Sequence, residues 1–136
     1  MIRKALKELG VNKSVFFSDD IEETYEMNDF NFSLEDLKNK VSELKVADEI
    51  LQKQKAFNNA IQTHLDNKAK EFRYDNMMSA RSYAGYDNPF QAEAQKLAVW
   101  ASNCWVKAGE IEADVQAGNR EMPTIDEVLS ELPIYE

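Results

Sequence analysis

Between Ser33 and Ala84 the chain has neither glycine nor proline. A stretch this long without a breaker has few ways to fold. Its apolar residues decide among them. Leu34, Leu37, Val41, Leu44, Ala47 and Leu51 recur at steps of three and four, the spacing of one helical face. The pattern continues, less cleanly, through Phe57, Ile61, Leu65, Ala69 and Phe72. Ser33 with Asp36 three residues on forms a capping box with Asp in place of Glu. The spacing therefore predicts a long helix over 33–73. At 1.5 Å per residue it reaches roughly 55–60 Å, a length that suits a coiled coil or an arm. The weakly apolar "QKQKAFNNAIQTH" leaves open a break near Gln54–Asn59.

The segment after it is punctuated more strongly. Residues 75–84 read as a short helix with Met77, Met78 and Tyr83 apolar, stopped at Gly85. "GYDNP" is a turn, and Asn88-Pro89 opens the next helix. Phe90, Ala94, Leu97, Ala101, Cys104, Ala108, Ile111 and Val115 then alternate steps of four and three, closed by Gly118. Half of that stripe is Ala or Cys, which lets a neighbouring helix come close. Trp100 and Trp105 widen it. A last short helix has Thr124 as cap, Glu127 completing the box, and Pro133 as its end.

The N-terminal segment differs. Ile2, Leu6 and Leu9 share a helical face and Gly10 follows as a stop. "SVFF", 14–17, reads as extended. Residues 19–36 hold eight acids and no base, so 18–29 reads as a loop or flexible arm. The expected fold class is mainly α: a long N-terminal helix or helical arm plus a small C-terminal helical bundle. The expected division is 1–32, a short helix and acidic arm; 33–73, the long helix; and 74–136, a compact helical module.

Charge and composition narrow the function. The net charge of −9 argues against nucleic acid as a partner, since phosphate binding needs clustered cations. The longest uncharged apolar run, 97–101, is far short of a membrane span. The N-terminus lacks the apolar core of a secretory signal. One cysteine forms no internal disulfide and fits a reducing compartment. A protein assembled in the cytoplasm is expected.

Chemistry-bearing patterns are scarce. His64 is the only histidine, and no second His or Cys stands at metal-ligand spacing, so no metal and no cofactor is expected. Nucleotide and hydrolase motifs are absent. Cys104 sits in the apolar stripe, where a thiol is inert. The candidates that remain are contact residues. Tyr83, Tyr86 and Phe90 belong to the turn. Trp100 and Trp105 are large anchors of core or interface type. Asp19, Asp20, Glu22, Glu23 and Glu26 form the acidic arm.

The run from about 68 to 133 carries an ordered set of residues: Tyr74, Asp75, Ser82, Tyr83, Asn88, Pro89, Phe90, Trp100, Trp105, Gln116, Gly118, Pro123, Thr124 and Leu132. It resembles a helical domain at the C-terminal end of tailed-bacteriophage tail-fibre assembly proteins and small tail-associated proteins. That resemblance implies a helical module and brings no catalytic residues with it. It implies a structural or adaptor subunit of the virion tail or tail fibre, homo-oligomeric and in contact with other tail proteins. Two alternatives stand beside it: a fibre-assembly chaperone absent from the mature virion, and a small acidic inhibitor of a host factor.

Overall fold

The computed structural model describes residues 1–11, 15–26 and 28–136. Among them the fold is all-α, with no strand. The helices are α1 (Ile2–Glu8), α2 (Ile21–Glu26), α3 (Leu34–Glu71), α4 (Met77–Ser82), α5 (Gln91–Gln116) and α6 (Ile125–Glu131). The chain divides into two compact units, Met1–Gln54 and Lys55–Glu136, and α3 contributes to both. The helix runs unbroken through Gln54–Asn59.

In the first unit Ala5 and Leu6 of α1 pack with Leu37, Val41 and Leu44 of α3. Gly10, at φ 86°, ends α1: its N–H donates to the Lys7 carbonyl at 3.1 Å and the Val11 N–H to the Leu6 carbonyl at 3.0 Å. This left-handed stop is one that glycine adopts without strain. The acidic segment corrects an expectation. Read as loop or arm, its residues 21–26 are helical, and Ile21 and Tyr25 pack on the core. Local hydrogen bonds offset the charge repulsion. The Glu23 N–H donates to Asp20 Oδ1 at 2.9 Å, and the Thr24 hydroxyl accepts the Ser18 N–H at 3.0 Å. Thr24 is fully buried. Asn28 closes the segment, pairing its side-chain amide with the Phe16 backbone at 3.0 and 2.8 Å. Ser14 of the "SVFF" stretch and Met27 of the acidic stretch lie outside the described residues.

The capping box at the start of α3 forms, with the Asp36 N–H donating to Ser33 Oγ at 3.1 Å and the Ser33 N–H to Asp36 Oδ2 at 3.2 Å. The middle of the helix departs from the periodic reading: Ala47 and Leu51 are exposed, as are Val46 and Ile50. Periodicity marks a face but does not supply something to cover it. At the other end α3 stops without glycine. Arg73 takes φ 72°, its N–H donates to the Lys70 carbonyl at 2.9 Å, and the Tyr74 N–H reaches the Ala69 carbonyl at 3.1 Å. A non-glycine residue pays about 1 kcal/mol for that conformation.

The second unit is built around α5. Leu97, Trp100, Ala101, Cys104 and Ile111 are buried with Ile61, Leu65 and Ala69 of α3, Met77 and Ala80 of α4, and Val128 and Leu132 of the C-terminal segment, and Ala94 is buried as well. The stripe of small residues is therefore used inside the unit. Two residues expected on apolar faces are not: Met78 is 79% exposed, and Phe90 precedes the first turn of α5 and is 53% exposed. The α6 capping box forms as expected, with Thr124 and Glu127 in both roles. Arg120 forks onto Glu131, Nη1 to Oε2 at 2.9 Å and Nη2 to Oε1 at 3.0 Å, tying the turn after α5 to the end of α6. Gly109 lies in the middle of α5, and a methyl group there would meet nothing within 4 Å. Packing within the unit does not call for glycine, which is about 1 kcal/mol less favourable than alanine in a helix interior.

Candidate contact site on the 83–90 turn

The turn between α4 and α5 is organised by one side chain. Asn88 Nδ2 donates to the carbonyls of Tyr83 at 2.8 Å and Tyr86 at 2.7 Å, while its Oδ1 accepts the Phe90 N–H at 2.8 Å. An amide bonded three ways to nearby backbone fixes the course of the loop. Gln95 Nε2 adds a bond to the Ala84 carbonyl at 3.1 Å.

On this frame the rings of Tyr83, Tyr86 and Phe90 form a surface cluster. Tyr83 meets Phe90 edge-on at 5.7 Å and Tyr86 at 6.3 Å. Tyr86, like Phe90, is 53% exposed. Tyr83 is half-buried and joins the cluster to Tyr74, whose ring centroid lies 5.7 Å away. The structure thus brings together three of the residues singled out in the sequence. Asn88, which positions all three, was visible only as a turn former.

Tyr74 anchors the base of the cluster. Its hydroxyl donates to Glu93 Oε1 at 2.9 Å. Burial first, and then that hydrogen bond to a carboxylate, push its phenol up to about 12. The folded state therefore keeps a proton that the unfolded state releases near pH 10. This stabilisation is complete below pH 10 and is lost as pH rises towards 12. We expect the stability of the wild type, relative to Tyr74→Phe, to fall by roughly 2 kcal/mol across that interval. Denaturant titrations of both proteins at a series of pH values measure it. Parallel curves would show that Tyr74 ionises alike in both states.

The tryptophans lie elsewhere. Trp100 is buried, its Nε1 donating to the Pro133 carbonyl at 2.8 Å and its ring edge-on to Tyr135 at 5.7 Å. Trp105 is half-buried against the same core. Cys104 is fully buried, and desolvation raises its thiol above the ordinary range. His64 stands 5.8 Å from the Trp100 ring. Among the acidic candidates, Asp20 caps α2, Glu23 is hydrogen-bonded to Ser18 Oγ, and Glu22 is ion-paired with Lys38. Asp19 and Glu26 are exposed. Asp19, Asp20 and Glu23 line an open cleft of the first unit together with Arg3, Lys38 and Lys45, so acids and bases share it.

Among the described residues, no group of three or more His, Cys, Asp or Glu side chains is placed to hold a metal ion, and no helix is long and apolar enough to cross a membrane. Compared with protein-family models, curated proteins and solved structures, the chain matches none of them.

Proposed function

We propose that this chain is a non-enzymatic adaptor that works through protein contacts. The observation that carries this reading is the aromatic turn: Tyr86 and Phe90 stand half out in water on a backbone locked by Asn88. Within the monomer each ring packs on Tyr83 and leaves about half its surface in water. Rigid aromatic anchors lose little entropy on binding and dominate interface energies. The setting we propose is the tail or tail fibre of a tailed bacteriophage, with other tail proteins as partners. Its support is the sequence resemblance over 68–133.

Mass spectrometry of purified particles tests the setting. We expect the chain there at a symmetric copy number, and absence from particles with abundance in lysate would turn the reading to an assembly chaperone. The contact role has its own test. Tyr86→Ser with Phe90→Ser should leave helicity intact and weaken capture of the tail partner by about tenfold or more. Unchanged capture would remove the turn from the interface.

A further inference from the structure

The outer face of α5 carries a second stripe, opposite the buried one. Gln95, Val99, Ser102, Val106, Gly109 and Ala113 are spaced 4, 3, 4, 3, 4, and all are exposed. Val99 is 61% and Val106 62% exposed. None of the six is charged, in a chain where charged residues make up 30%. A solvated helix face ordinarily carries charge. This one carries valines, small residues and the one interior glycine that the unit's own packing does not explain.

We infer that this face is the interface of an antiparallel homodimer, α5 against α5 of a second copy. The argument is self-complementarity. Set Val99 opposite the partner's Gly109. The same register sets Val106 opposite the partner's Ser102 and Ala113 opposite the partner's Gln95. Each layer pairs a larger side chain with a smaller one, and each occurs twice by symmetry, as an isologous contact requires. A parallel pairing would put valine on valine and glycine on glycine, wide at one layer and empty at the next.

Charge selects the same register. Lys96, Asn103 and Glu110 each follow a stripe residue and border one side of the seam. In the antiparallel register Lys96 lies beside the partner's Glu110, again twice, and Asn103 faces its own copy. Within one copy these charges make only long contacts: Lys96 Nζ is 5.0 Å from the Tyr135 ring centroid, and Lys107 Nζ is 3.9 Å from Glu110. Such exposed contacts hold little and are readily exchanged. An acidic chain repels its own copy, so an uncharged seam whose border sets Lys96 beside a glutamate of the second copy favours dimerisation.

This deepens the proposed contact role by naming a second copy as one partner, and it rests on that role only in assuming that the chain works in an assembly. The surface differs from the 83–90 turn. Loss of dimerisation with partner capture intact, or the reverse, therefore separates the two ideas.

The test uses the full chain. Light scattering should give the mass of two chains for the wild type. Val106→Lys should give the mass of one chain with unchanged helicity, because the site is exposed. Orientation is read by oxidation of Lys96→Cys and Glu110→Cys, the native Cys104 being buried. The mixed pair should cross-link and either variant alone should not. A wild type with the mass of one chain at all concentrations overturns the inference. So does a dimeric Val106→Lys, self-linking of either cysteine variant, or a mixed pair that does not link.

Discussion

Leu97→Asp is expected to unfold the second unit. Leu97 is fully buried on the inner stripe of α5. Removing a buried leucine alone costs about 2–5 kcal/mol, and leaving a carboxylate in its place adds the cost of burying a polar or charged group. Together these reach the lower part of the range of stabilities typical of a domain, about 5–15 kcal/mol. The readout is convenient, because the chain has two tryptophans, Trp100 and Trp105, and both belong to this unit. Their emission should shift to that of solvent-exposed indole. Leu97→Met, nearly equal in volume, should stay native. Native emission from Leu97→Asp would mean that α5 presents this face to water.

Trp100 has the second large expected effect, and two substitutions divide it. Trp100→Ala removes an aromatic body packed against Tyr135 and beside His64, and should cost about 3–5 kcal/mol. Trp100→Phe keeps most of the ring and loses the donor to the Pro133 carbonyl. An unmet acceptor costs about 1–3 kcal/mol when fully buried; this one is part-buried, so the expected loss is at the lower end of that range. Cys104 Sγ also approaches that carbonyl, at 3.9 Å, a weak substitute. Denaturant unfolding followed by Trp105 emission should therefore rank wild type, Trp100→Phe and Trp100→Ala in that order. Hydrogen exchange should quicken at the amides of Ile134 and Tyr135 in the Phe variant. A Phe variant as stable as the wild type would assign the docking of this tail to packing alone.

The elements were largely legible because their signals are local. A capping box spans three residues, and both Ser33–Asp36 and Thr124–Glu127 form as their spacing implies. Gly10 and Gly118 end α1 and α5 because a left-handed residue is easiest for glycine. Where the local signal was weak or misleading, the reading missed. Eight acids between 19 and 36 suggested a free arm, yet Asp20 and Thr24 stabilise a helical turn there while Ile21 and Tyr25 fasten it to a core. Arg73 ends α3 in a conformation its side chain does not advertise. The candidate site was legible as residues and not as a surface. Tyr83, Tyr86 and Phe90 stood out, but Phe90 was read into a buried stripe that begins only after it.

By itself the sequence determined that this chain is helical, where most of its helices start and stop, and that no familiar catalytic or metal-binding motif is written in it. Those properties depend on residues three or four apart, which every helix brings together in the same way. Only the tertiary structure decided which helical faces are covered. On α5 two stripes share the same period; Leu97, Ala101, Cys104 and Ile111 meet α3, α4 and the C-terminal segment, while nothing in the same chain covers Val99 and Val106. On α3, Leu44 and Ile61 are buried and Leu51 between them is exposed, though one repeat runs through all three. Burial is set by segments distant in the chain, and periodicity carries no record of which distant segment arrives.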